Sequence, residues 1–297
     1  MSVQSDFAGK VKELIASAKD LSVEARQRVL DLLDEARTKI AAQLAEIDPE
    51  SFSAAQLTVL RNSIDRAMEE FAKKATGVIE KAESSAFAHG GDMVKSPIAA
   101  AGIEGPGLGV VSTSALSVAQ GYTADLITGL SKDAMAKING VIQRAFLGGQ
   151  KVSDIIQQIG RALGSGEGFT GVFKGIGRRA ADITINEILR VQSISTQARL
   201  EDAADQHEDL QKQWHHLAIA RVPRPGHVAA DGQVVNVDEP FLVEGEELMF
   251  PRDPNGSPDN TINCHCMMAP YFSADALKPT KGQKGLLEEL GISVSAA

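Results

Sequence analysis

Apolar residues recur at helical spacing through most of the chain. Residues 4–19 put Phe7, Val11, Leu14, Ile15 and Ala18 on one face, the three-and-four step of an amphipathic helix. A second helix is expected from about Ser22, with Val29, Leu30, Leu33, Ile40 and Leu44 turned inward. Asp48-Pro49 ends it, because a residue before proline avoids the helical region. Ser53 followed by Gln56 is a capping-box signature. From it a stripe of Leu57, Leu60, Ile64, Met68, Phe71 and Ile79 runs to about Ala88. Residues 1–88 therefore read as a helical hairpin or small bundle.

The period is lost over residues 89–112, where glycine and small residues dominate. That composition predicts a linker or an extended arm. Residues 113–212 return to helix. Ser131 is a candidate cap for a segment through Met135, Ile138, Ile142 and Phe146, stopped by Gly148-Gly149, and Ser153 for one through Ile155, Ile159 and Leu163. The run 164–171 is a glycine-rich joint with no following Gly-Lys-Ser/Thr and no preceding strand, a poor phosphate loop. A long helix is expected from about Arg178 to Ala204, with Glu187 and Arg190 paired one turn apart.

Residues 213–275 have a different texture, and 276–297 form a tail. Asp231-Gly232 is a hairpin signal before the alternating run 233–237, and Phe241–Val243 and Met267–Tyr271 read as further strands. Pro251, Pro254, Gly256 and Pro258 mark a stiff irregular loop between them. The fold class that follows is mainly α: elongated helical N-terminal and middle regions with a small C-terminal α+β domain.

Composition narrows the function. A hydrophobic fraction of 43% supports a core, while 4% aromatic residues make that core aliphatic. The net charge of -9, with no basic run, argues against tight binding of free DNA or an anionic membrane. Lys174, Arg178 and Arg179 form a local basic cluster that reads as a solvated helix face. No apolar run is long enough to span a membrane, and the N-terminus lacks the features of a secretory signal.

Chemistry concentrates near the C-terminus. Cys264 and Cys266 lie one residue apart, too close for an unstrained disulfide, so they read as reduced thiols or as metal ligands. In extended chain both sulfurs point to one face. With His227 folded against them they would suit zinc, and His215, His216 or Asp231 could complete the set. The plainer reading is two buried reduced cysteines packing a turn. Cys264 with His227 could also be drawn as nucleophile and base, and Glu187, His227 and Arg224 as a nuclease or transferase set. No third group that would orient the first pair is identifiable, and no catalytic residue is assigned.

The same stretch carries a family resemblance. Arg224-Pro225-Gly226-His227, then Asp231-Gly232-Gln233-Val234-Val235, then Asp238 to Phe241, then Leu248-Met249-Phe250 with Pro251-Arg252-Asp253-Pro254, then Asn263-Cys264-His265-Cys266, come in one order. That order resembles the C-terminal domain of the phage Mu protein F-like minor head proteins, the phage head morphogenesis family. The helix before Lys212-Gln213-Trp214 resembles it too, so the likeness covers residues 125–272.

The resemblance implies a structural minor capsid protein of a tailed bacteriophage, made in the host cytoplasm and carried in the virion. Its implied partners are the portal protein and the major capsid protein, in several copies per particle, with packaged DNA as a further contact. It marks Trp214, Arg224, Asp231, Gly232, Pro251 and Asn263 as structural motif residues, and a virion-borne nuclease or ADP-ribosyltransferase as the alternative function. Two departures weaken that alternative: Ile219-Ala220 stand where the family has an acid, and His265 where it often has arginine.

Overall fold

A computed structural model describes residues 3–18, 20–47, 53–103, 112–161, 168–217, 223–274 and 276–277. Six helices come first: α1 Val3–Ala18, α2 Val23–Ala45, α3 Ala54–Ala100, α4 Ser114–Leu147, α5 Val152–Ile159 and α6 Gly171–Ala204. The C-terminal part holds β1 Gln211–His215, α7 Pro225–Ala229, β2 Val234–Asn236, β3 Phe241–Val243, β4 Glu246–Leu248, α8 Pro258–Thr261 and β5 Met267–Tyr271. The chain is thus mainly α with a small α+β region at its C-terminal end. No described helix is long and apolar enough to cross a membrane.

Helix α3 opens at the expected box: the Ser53 side chain accepts from Gln56 N, and the Gln56 side chain accepts from Ser53 N. It then runs for 47 residues, about 70 Å at 1.5 Å per residue. The glycine-rich segment expected to be a linker from residue 89 therefore continues the helix to Ala100. Three contacts with α6 explain this correction. Gly90 lies directly against α6, where a Cβ would fall 2.4 Å from Gln192 O. The Ser195 hydroxyl donates to Phe87 O at 2.6 Å and the Thr196 hydroxyl to Gly90 O at 3.3 Å. Here glycine permits close helix packing instead of marking a break.

The true stop is Gly102, at φ +62°. Ile103 N reaches Ile98 O at 3.2 Å and Gly102 N reaches Ala99 O at 3.0 Å, the paired bonds of a Schellman end. The rest of the expected linker, 104–111, lies outside the described residues, as do Asp48-Pro49 and the first half, 164–167, of the 164–171 joint. Gly149 ends α4 in the same way as Gly102 ends α3, with Gln150 N on Ala145 O and Gly149 N on Phe146 O.

Three local expectations change. Ser131 lies inside α4 and donates to Met68 O of α3 at 2.9 Å, so it joins two helices instead of starting one. Lys151, not Ser153, precedes α5. Helix α6 begins at Gly171 and not near Arg178.

Among the described residues, buried side chains form two clusters. In the first, Leu33 and Ile40 of α2 meet Ile64 and Phe71 of α3, Ile138 of α4, Ile155 of α5 and Phe173 of α6. In the second, Phe7 and Val11 of α1 join Met93 and Val94 of α3, Leu200 of α6 and the C-terminal residues Trp214, Phe241 and Met268. Helices α3 and α6 run through both. Helix α1 caps the second core, with the Phe7 and Phe272 rings edge to face at 5.6 Å.

The C-terminal sheet has the order β2-β1-β5, antiparallel throughout, with Trp214 opposite Met268. A hairpin of β3 and β4 lies beside it. Its two-residue turn, Glu244-Gly245, has φ of +51° and +83°, the paired positive values of a type I′ turn.

Candidate functional site

Helix α6 holds the C-terminal region by a buried polar stripe. Asn186, Arg190, Ser193 and Gln197 recur at steps of four, three and four, one face of a helix. Asn186 Oδ1 accepts from Asn263 N at 2.8 Å, and Arg190 Nε donates to Arg252 O at 3.2 Å. The Ser193 hydroxyl accepts from Arg252 at 2.8 Å. Gln197 donates to Val237 O at 2.9 Å and accepts from the buried Lys212 ammonium at 3.1 Å. Burial pulls that ammonium down to about 8. Glu187, raised by burial, pairs with Arg190, and Arg224 bonds Ile262 O. The candidate set of Glu187, His227 and Arg224 is therefore taken up by other partners.

Against this stripe the chain assembles a sulfur–imidazole cluster. His227, on α7, and Cys264 and Cys266, just before β5, are all buried, and their ligand atoms lie within 4.8 Å of one another. His227 Nδ1 stands 3.6 Å from Cys264 Sγ and 3.4 Å from Cys266 Sγ. His216 brings its own Nδ1 to 3.6 Å from Cys266 Sγ. His215 is the neighbour in sequence but lines a separate cavity of about 410 Å³ with Phe7, Val11 and Tyr271. Its side chain leaves β1 on the opposite face, as strand alternation requires. Asp231 does not enter the cluster: its carboxylate accepts the backbone N–H of His216 at 2.8 Å and so sets where that histidine sits.

Arg252, which its sequence context does not single out, is the centre of the support. It is fully buried and adopts a φ of +68°. One guanidinium nitrogen donates to both Cys264 O, at 2.7 Å, and Cys266 O, at 2.9 Å, while another reaches Ser193. Both cysteines are therefore held by their backbones in one orientation. The two thiols interact strongly. A hydrogen bond from Cys266 holds Cys264 well below the ordinary thiol range, with help from His227 and Arg252. Cys266 is pushed up in turn by its Cys264 neighbour and by burial.

The motif residues surround this centre. Trp214 is fully buried, its ring edge-on to His227 at 6.1 Å and to Phe241 at 5.2 Å. Gly232, at φ +79°, donates to Trp214 O at 2.9 Å and closes the turn that begins at Asp231. Arg224 precedes α7 and ties it to Ile262. Pro251 is buried beside Arg252, and Asn263 takes a positive φ of +55° to reach Asn186.

Residues 136–269 match the family described as Phage Mu protein F like protein. The chain is 36% identical over 102 residues to the uncharacterized protein YqbB of Bacillus subtilis (strain 168), covering 33% of this chain and 32% of that protein. It is 33% identical over 89 residues to the NAD(+)--arginine ADP-ribosyltransferase EFV of Enterococcus faecalis (strain ATCC 700802 / V583), covering 30% of this chain and 18% of that protein. The chain thus spans about a third of the first relative and under a fifth of the second. No solved structure matches it significantly.

Proposed function

Since residues 136–269 belong to the phage Mu protein F-like family, we propose that this chain is a minor head protein of a tailed bacteriophage. Its place is in the virion, against the portal protein or the inner face of the major capsid protein. Its work there is in head morphogenesis, or in the packaging or ejection of DNA. The observation that carries the reading is the extent of the match. It begins within α4, takes in all of α6 with its polar stripe, and ends inside β5, so it covers the whole sulfur–imidazole cluster. The net charge of -9 favours protein partners over packaged DNA, because acidic surface repels phosphate.

The test is fractionation. Purified proheads and full particles should contain this chain, and crosslinking within them should join it to the portal protein. A chain abundant in infected cells and absent from both particle forms would refute the reading.

A second reading rests on the likeness to the ADP-ribosyltransferase: an effector enzyme carried in the particle. More than four-fifths of that enzyme lies outside the match, which supports a shared module more than a shared activity. Incubation of the chain with labelled NAD, RNA and DNA separates the two. Turnover abolished by His227→Ala would favour the enzyme.

A further inference from the structure

We propose that His216, His227, Cys264 and Cys266 bind one zinc ion in a closed tetrahedral site that fastens the Cys-x-Cys segment to β1 and α7. The inference stands apart from the head-protein reading and survives or fails without it.

Distances come first. Zinc holds sulfur at about 2.3 Å and imidazole nitrogen at about 2.0–2.1 Å, so tetrahedral angles put a sulfur and a nitrogen about 3.5 Å apart. His227 Nδ1 meets this spacing to both sulfurs, at 3.6 and 3.4 Å, and His216 Nδ1 meets it to Cys266 Sγ at 3.6 Å; only the His227, Cys264 and Cys266 atoms all lie within 4.8 Å of one another, so His216 must turn in toward Cys264 to complete the set. Hydrogen bonding alone accounts for them less well. His227 Nδ1 has one in-plane lone pair, yet both sulfurs converge on that nitrogen. A single cation among them satisfies all of these contacts together.

The surroundings select the ligand atom. On the far side of the His227 ring, Nε2 lies 3.3 Å from Asn260 Oδ1. The orientation of Asn260 is itself set by its amide nitrogen, which donates to Val243 O at 3.4 Å. Oδ1 is therefore the atom facing the ring, Nε2 must carry the proton, and Nδ1 is left with its lone pair toward the sulfurs. An outer partner that sets the tautomer in this way is the usual companion of a metal-bound histidine. Arg252 does the corresponding work for the cysteines through their carbonyls.

Chemistry and burial then choose the metal and its role. Two thiolates with two imidazoles suit zinc over harder cations. His227, Cys264 and Cys266 are buried and His216 is half-buried, so with all four side chains bound no ligand position is left for water or substrate, the mark of a structural site. The need is plain in a region whose strands are three to five residues long. Zinc takes cysteine as thiolate and histidine as neutral imidazole, so uptake releases protons and weakens at low pH.

The experiment uses the full chain purified without chelator. Elemental analysis should find one zinc per chain. Replacement by Co2+ should give the visible bands of tetrahedral cobalt together with thiolate-to-cobalt charge transfer. Titration with Zn2+ against a chromophoric chelator should show Asn260→Ala weakening affinity about 10–100-fold, and His216→Ala weakening it further with the helical circular dichroism intact. Folded wild-type protein that is zinc-free, and that takes up Co2+ without those bands, overturns the site. Wild-type affinity in His216→Ala overturns the fourth ligand.

Discussion

Replacing Gly90 by alanine tests the packing of α3 on α6 by its sign. An alanine Cβ at this position would lie 2.4 Å from Gln192 O, 2.7 Å from Ser195 Cβ and 3.0 Å from Thr196 N. Ordinary contacts between carbon atoms are about 3.5–4.0 Å, so the helices would have to part by about 1 Å. Overpacking of that kind costs about 1–3 kcal/mol, against a gain of about 1 kcal/mol in helix propensity. Separation also strains the bonds from Ser195 to Phe87 O and from Thr196 to Gly90 O. The expected result is a net loss of about 1–2 kcal/mol. Gly77, on the same helix, is the control, because a Cβ there would meet nothing within 4 Å. Gly77→Ala should stabilise by up to about 1 kcal/mol. Urea unfolding followed by helical circular dichroism measures both. Equal or greater stability in Gly90→Ala than in wild type would show that the two helices are not in the contact described.

The other predictions concern charge, support and turn. Glu83 is wholly buried, bonded to Thr123 at 2.6 Å, and pushed up to about 7 from 4.5 by burial, with Glu187 and Glu80 adding to the effect. The folded state then holds that proton more tightly than the unfolded chain. The stabilisation is complete below pH 4.5 and lost as pH rises through 7, a change of about 3 kcal/mol. Glu83→Gln should flatten this slope in melts across the range, and parallel curves would contradict it. Arg252→Leu leaves two carbonyls and the Ser193 hydroxyl without a buried donor. At about 1–3 kcal/mol for each, unfolding midpoints should drop sharply, and Arg252→Lys should recover only part because an ammonium lacks the fork. Gly245→Ala, at φ +83°, should lower stability by about 1–2 kcal/mol, and no change in the unfolding midpoint would count against the described turn.

Much of the architecture was legible because its signals are local. The Ser53–Gln56 box and the Gly148-Gly149 stop need only neighbouring residues to act, and both form where the pattern puts them. The strands near Phe241 and Met267 were likewise visible in alternation and turn residues. The convergence of His227 on the two cysteines could be anticipated from residue type and strand parity. Other features depend on distant partners. A small-residue run such as Gly90-Gly91 has the same composition in a linker and in a tight helix contact, and only α6 decides between them. The stripe of Asn186, Arg190, Ser193 and Gln197 looks like a solvent face until the C-terminal region is placed on it. Arg252 sits in a proline-rich loop and gains its meaning from carbonyls that follow it by 12 and 14 residues. The Glu244-Gly245 turn carries no comparable signal, because the run after it, Glu246-Glu247-Leu248, is mostly acidic, and the hairpin signal at Asp231-Gly232 instead marks a turn between α7 and β2.

Because α3 and α6 pass without interruption from one core into the other, the molecule has two girders where a jointed protein would have a hinge. Load applied to the α5 end has no slack segment in which to dissipate along these rods and arrives at the C-terminal cap as displacement. A part built this way transmits strain between neighbours instead of swivelling to relieve it.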